Sequence, residues 1–314
     1  MTHAQPRPGR PVLPILGSAL LAIVAAVGSY LLYWPHHSDP LAASDAAGRP
    51  GAQSAQALPS GPVPAVGRRP DPLRGQAASF LATRDGNVLA AVYDLDTRQT
   101  WTIGQGPPQA EASVVKLDIL ETLLAQRGQD GRGLSSQEES QAKIMIEKSD
   151  DNAATDLWNA AGGARGIRSF NTAAGLAHTS PSACVVCPGF RWPGWGLSTT
   201  TPYDQISLLR QIVQQGRLLS DADRSYTLRL MEDVAQDQRW GVSGGVSPKA
   251  TVALKDGWLA LDDAETDWQI NSIGWISGVG RNYLIAVLST GNPTEQYGID
   301  TIDRLSTIVW ENMG

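Results

Sequence analysis

The spacing of apolar residues changes character several times along the chain. Residues 11–34 (PVLPILGSALLAIVAAVGSYLLYW) carry no charged side chain. At 1.5 Å per residue, about 20 helical residues cross a hydrocarbon core, so this run predicts one transmembrane helix. Residues 35–76 are rich in Pro, Ala, Gly and Ser and hold almost no large apolar side chains. Such a segment cannot bury enough surface to offset its ordering entropy and reads as a disordered linker. A packed domain is expected over 77–314.

Within that domain, Val88–Tyr93 and Thr100–Ile103, joined by Asp94-Leu95-Asp96-Thr97, predict a β-hairpin. From Ser113 to Gly128 apolar residues fall on nearly every side of a helix, the pattern of a buried one. Helices are predicted over 137–147, opened by a capping box Ser136…Glu139, and over 151–161 and 164–174. Another begins at Thr201-Pro202, with Thr as cap and Pro in the first turn, and one more covers 221–235. The character then changes to short β-branched or aromatic runs separated by turn residues. Thr251–Lys255, Trp268–Ile276 and Tyr283–Ser289 read as antiparallel strands, and an amphipathic helix over 295–311 closes the chain. The expected class is α+β: an antiparallel sheet flanked by helices, with a helical subdomain. The first hairpin is expected to join the late strands.

Charge orients this layout. Arg7 and Arg10 precede the apolar run and the next Arg is Arg49. The positive-inside bias makes 1–10 a cytoplasmic tail and puts the domain outside the cell membrane, on a single-pass anchor. The competing reading is a cleaved signal peptide. Its apolar core is usually about 7–15 residues with a small-residue cleavage site close behind, whereas here the run is longer and ends in Tyr33-Trp34-Pro35. A net charge of -6 gives no basic footprint, so a nucleic-acid partner is not expected. Of four His, three (His3, His36, His37) flank the apolar run. His178 is the only imidazole left to the domain, which argues against His-dependent catalysis.

Candidate chemistry starts at Glu111-Ala112-Ser113-Val114-Val115-Lys116. Residues three apart share a helix face with Cβ atoms about 5–6 Å apart, so a hydroxyl can meet an amine within one turn. Burial lowers the pKa of a Lys, and its neutral amine can take a Ser proton. Free N–H groups at the helix start would face a developing oxyanion. By itself Ser-x-x-Lys is a weak signal, since a Lys snorkelling from a core helix gives the same pattern.

Two later segments change its weight. Ser149-Asp150-Asp151-Asn152-Ala153-Ala154 follows the second helix, and Lys255-Asp256-Gly257-Trp258 ends the first late strand. Ser-x-x-Lys, then Ser-Asp-x, then Lys-x-Gly, in this order and on these elements, resembles the class A β-lactamases and penicillin-binding proteins. The resemblance covers about 80–314. It implies that Ser113 is the acylated nucleophile and Lys116 its base. Ser149 would relay a proton to the leaving group, and Lys255 would supply positive charge beside Ser149. The backbone N–H groups of Ser113 and Trp258 would form the oxyanion hole, Gly257 and Trp258 would line the substrate site, and Asp150 would bond amides at a helix start. It further implies a monomer acting on a small-molecule or peptide acyl substrate related to the cell wall, without cofactor or metal.

Three departures stand out. Asp151 replaces the amide that ends the second motif. Asp256 replaces the hydroxyl that in the family helps hold a substrate carboxylate. Together they point to a substrate without a free carboxylate, or a cationic one. Third, no Asp or Glu lies between Asp156 and Asp204. The loop that in β-lactamases carries the deacylating Glu lacks one, so poor β-lactam turnover is expected. These changes also allow a non-catalytic binding or sensing module of the same fold. Retention of Ser113, Lys116, Ser149 and Lys255 together argues for an enzyme.

That loop instead holds Cys184-Val-Val-Cys187, then Trp192-Pro193-Gly194-Trp195. Outside the cytoplasm the two Cys are expected to form a small disulfide; zinc binding with His178 and a CxxC redox role are the rivals. Trp192 and Trp195 either line a groove or pack the loop to the domain. Finally, Gly241-Val-Ser243-Gly-Gly245 fits the nucleophile-elbow pattern of the α/β-hydrolases, but that fold needs a His partner and a following helix.

Overall fold

The structure is a computed structural model and describes residues 67–314. The expected cytoplasmic tail, the apolar run 11–34 and most of the proposed linker lie outside the described residues. Among the described residues, no helix is long and apolar enough to cross a membrane.

In chain order the elements are α1 (Gln76–Leu81), β1 (Asn87–Asp94), β2 (Thr100–Ile103), β3 (Gln109–Ala110) and a 3₁₀ turn Ala112–Val114 running into α2 (Val115–Gln129). Next come α3 (Ser136–Glu147), α4 (Asp151–Ala160), α5 (Gly163–Ala174), a 3₁₀ turn Gly194–Leu197, β4 (Thr199–Thr200), α6 (Pro202–Val213) and α7 (Asp221–Glu232). Strands β5 (Thr251–Ala260), β6 (Trp268–Gly278) and β7 (Arg281–Asn292) and helix α8 (Glu295–Asn312) complete the domain.

Five strands form one sheet in the order β2-β1-β7-β6-β5. All neighbours are antiparallel. The early hairpin thus joins the late strands, as expected. α8 covers one face and helices α2 to α7 stand on the other. The α+β class is as expected.

Three boundaries differ from the sequence expectation. Packed chain begins ahead of residue 77: Leu73 is buried and Arg69 pairs with the buried Asp94 at 3.0 Å, so the linker does not reach 76. The capping box of α3 is Ser135…Glu138, one residue earlier than read, because Ser135 has the extended backbone that a cap needs. Strand β5 continues to Ala260, which places Lys255-Asp256-Gly257 in mid-strand rather than at its end.

Candidate active site

The turn that carries Ser113 is strained at Ala112 and held by strands β6 and β5. Ala112, just before Ser113, takes a left-handed backbone (φ 49°), sparsely populated for a residue with a Cβ. From β6, the buried Asn271 donates its Nδ2 to the carbonyls of Ala110 (2.9 Å) and Glu111 (2.8 Å). Gln269, two residues away on the same face, steadies Asn271 by donating to its Oδ1 at 2.6 Å. From β5, Gly257 comes so close that a Cβ there would sit 2.6 Å from the Ser113 amide nitrogen. Any side chain at 257 would push strand and turn apart, so glycine is required.

Lys116, one turn on, is completely buried. Its Nζ donates to the Ser149 carbonyl (2.5 Å), Ser149 Oγ (3.0 Å) and Asp151 Oδ1 (2.7 Å). Ser149 is itself left-handed (φ 55°), which aims both of its oxygens at this amine. From the other side, the buried Lys255 donates to Ser149 Oγ at 3.0 Å and to the Asp256 carbonyl at 2.9 Å. Two amines therefore converge on one hydroxyl. Asp150 caps α4, its Oδ1 accepting from the Ala153 amide at 2.8 Å.

Burial lowers the pKa of both lysines. For Lys116 the Asp151 carboxylate opposes that drop. For Lys255 burial and the neighbouring Lys116 charge together bring it down to about 7.

A cleft of about 260 Å³ opens over this group, lined in part by Ser113, Ser149, Asp151, Trp192, Trp195 and Trp258. Trp258 adjoins Trp240, their ring centroids 6.0 Å apart. Trp195, 2% exposed, places its ring 5.1 Å from Lys116 Nζ, and its Nε1 donates to Thr155 Oγ1 at 3.0 Å. An indole thus stands against the catalytic-type lysine in the loop where an acid was looked for.

Asp256 is not where the sequence reading put it. Strand alternation turns it away from Lys255 and Gly257, to the opposite face. There it is buried, accepting from its cross-strand partner Ser272 (2.5 Å) and the Trp240 amide (3.3 Å). Burial raises its pKa to about 8. It faces no substrate, so the inference drawn from it about a carboxylate-free substrate does not hold. Asp151 does line the cleft, as an ion-pair partner of Lys116.

The rival motifs resolve simply. Cys184 and Cys187 form a disulfide, which leaves no thiolate for zinc. Ser243 lies on a 3₁₀ turn and donates its hydroxyl to the Arg239 carbonyl at 3.0 Å, while His178 is exposed and faces Asp204. The nucleophile-elbow reading has no geometry behind it. Residues that sequence reasoning missed include Asn271 and Gln269. Their signal was two amides at alternate positions of a strand rich in Trp and Ile.

Comparison with known proteins agrees with this architecture. The class A β-lactamase from Bacteroides cellulosilyticus superposes with a TM-score of 0.65 at 18% identity, covering 78% of this chain and 99% of that one. The TLA-1 extended-spectrum β-lactamase gives 0.66 at 16% identity, over 75% and 95%. PBP-A gives 0.62 at 20%, over 75% and 94%. Such likeness concerns the fold. In sequence, the protein named "Putative lipoprotein LppW" of Mycobacterium tuberculosis and of Mycobacterium bovis is 26% identical over 227 residues. That match takes in 68% of this chain and 66% of the relatives' length. The profile of the Beta-lactamase enzyme family matches residues 139–313, more than half of the chain, starting after Ser113 and Lys116. The chain belongs to the beta-lactamase enzyme family.

Proposed function

We propose that this protein is a serine hydrolase or acyl-transferase, acylated at Ser113 and held outside the cytoplasm by the segment 11–34. The observation that carries this reading is the approach of Lys116 Nζ and Lys255 Nζ to 3.0 Å from the same Ser149 Oγ, in the cleft that Ser113 lines. Neutral Lys116 takes the Ser113 hydroxyl proton as Oγ attacks a carbonyl carbon. The oxyanion rests on the Ser113 and Trp258 amides. Ser149 then gives its proton to the leaving group and recovers one from the lysines beside it, leaving an ester on Ser113. The lipoprotein name of the mycobacterial relatives agrees with a membrane-associated place.

The substrate class is a small-molecule or peptide acyl donor. Full-length protein in detergent, exposed to a labelled penicillin and to a fluorophosphonate, should gain the mass of one adduct. The Ser113→Ala variant should gain none.

A second reading, a non-catalytic binding module, is favoured by one contact set. The three bonds that Lys116 donates to Ser149 and Asp151 engage all three protons of an ammonium. Such an amine abstracts nothing until it loses a proton. Absence of any Ser113-dependent adduct at alkaline pH would favour this module over the enzyme.

A further inference from the structure

The disulfide loop does more than close on itself. Gly194 lies directly against it: a Cβ at 194 would collide with Cys187 Sγ and the Cys184 carbonyl, and the Gly194 amide donates to the Val185 carbonyl at 2.6 Å. The next residue is Trp195. Its backbone carbonyl accepts from the Ser198 amide at 3.0 Å and from Ser198 Oγ at 2.7 Å. The Ser198 carbonyl in turn accepts from the Glu111 amide at 2.7 Å, two residues before Ser113. The ring of Trp195 covers Lys116, fixed by its bond to Thr155 on α4. The same short turn is thus tied to the disulfide at one end and to the nucleophile segment at the other, with the lysine beneath its indole.

We infer that Trp195 is a positioning residue for the Lys116 amine, keeping water from it, and that the Cys184–Cys187 disulfide clamps Trp195 in place, so the redox state of the disulfide sets the reactivity of Ser113. The consequence for reactivity rests on the acylation reading above, whereas the effect on Lys116 does not. A dithiol reductant supplies two electrons and two protons, breaks the S–S bond to give two thiols, and leaves as its own cyclic disulfide. Gly194 then loses the surface it packs on, and the indole can leave Lys116.

The direction follows from the groups around that amine. Asp151 and Asp150 on α4 favour its charge, and Lys255 on β5 is the like charge beside it. Burial is the largest influence and lowers its pKa. Water admitted where the indole stood relieves that burial, so Lys116 titrates higher and less of it is neutral near neutral pH. The indole face also favours the charged amine, an influence that opposes the gain from admitted water, while burial remains the first-ranked cause of the lowered pKa.

The test is a lysine NMR titration of Lys116 in the full-length chain, labelled at the side-chain ε position. It compares oxidised protein, protein reduced with dithiothreitol, Trp195→Ala and Trp195→Phe, each checked for folding by circular dichroism. The expected result is a rise of at least about one pH unit on reduction and in Trp195→Ala, and a much smaller change in Trp195→Phe. Ser113 acylation by a fluorophosphonate near neutral pH should slow about tenfold in the same samples, one decade per pH unit. A Lys116 titration unmoved by reduction in folded protein overturns the clamp. One unmoved in folded Trp195→Ala overturns the positioning role. Should Trp195→Ala not fold, Trp195→Leu takes its place. If oxidised wild type shows no Ser113 adduct at any pH, the acylation reading fails, and the titration still decides whether Trp195 and the disulfide hold the lysine.

Discussion

Lys116 Nζ and Asp151 Oδ1 lie 2.7 Å apart, one completely buried and the other at the wall of the cleft. On the proposed mechanism this ion pair would set the pH range in which Lys116 can act as the base. Burial pushes Lys116 toward its neutral, proton-accepting form, and the carboxylate pulls it back. An amide at 151 would still accept the lysine's bond but would not favour its charge.

Asp151→Asn is therefore expected to lower the Lys116 pKa. An opposite charge at this distance is worth roughly 1–3 pH units. Acylation rises with pH as Lys116 loses its proton, so the rising limb of the rate should move to lower pH by that amount. Adduct formation followed by intact mass across pH reads it. A limb that stays put or moves upward would show that Asp151 does not control the base.

Once formed, the Ser113 ester should persist. No carboxylate lies between residues 157 and 203 to activate water, and Trp195, in the loop that follows α5, stands against Lys116. General-base assistance is worth roughly 10²–10⁴ in rate. A penicillin should give about one adduct per chain and then little further turnover over hours, with the stoichiometry fixed by the burst. Many turnovers per chain in that time would mean that another group activates water.

Asp256 accepts from Ser272 and from the Trp240 amide on the face of β5 turned away from the cleft. Burial raises its pKa to about 8, which favours the neutral carboxyl, and Asn is a close mimic of that form. Asp256→Asn should leave relative rates toward carboxylate-bearing and carboxylate-free acyl donors unchanged. A switch in that preference would place residue 256 in substrate recognition after all.

Helix α2 carries a cost that depends on pH. Asp118 and Glu121 on it, and Glu111 just before it, are buried, and burial raises the pKa of each, Asp118 to about 7. Such a group is neutral in the folded chain at a pH where the unfolded chain has already ionised. The stability it contributes is whole below the unfolded pKa of about 4 and is lost as pH rises through the folded value. Asp118→Asn removes one such group. The melting temperature of this variant minus that of wild type should grow by several degrees between about pH 5 and pH 8, at roughly 2–4 °C per kcal/mol for a domain of this size. A difference constant with pH would show that Asp118 ionises freely in the fold.

Much of this was legible in the residues, and the gaps have physical causes. The hairpin, the buried helix and the late strands announce themselves as apolar or β-branched runs bounded by turn residues, because elements buried on both faces need apolar side chains at nearly every position. Ser113, Lys116, Ser149 and Lys255 stood out by type and spacing. The direction of Asp256 did not: a strand alternates, and with β5 taken as ending at Lys255 nothing fixed which face residue 256 would take. Trp195 was left between groove and packing, and the structure has it do both. Its contact with Lys116 depends on a loop whose path is set by a disulfide and by Gly194 lying against it, and neither has a period to read. Asn271 belongs to the same class, since a strand amide reveals its purpose only when the turn it holds is in place.

The central claim is that Lys116 draws the proton from Ser113. It is tested most directly by the fluorophosphonate labelling rate of Lys116→Ala against wild type and Ser113→Ala, with the modified peptide identified by mass spectrometry. The expected outcome is an adduct on the Ser113 peptide in wild type, none in Ser113→Ala, and labelling slowed by roughly 10²–10⁴ in Lys116→Ala. An adduct on Ser149 or Ser243, or a Lys116→Ala rate equal to wild type, would contradict it.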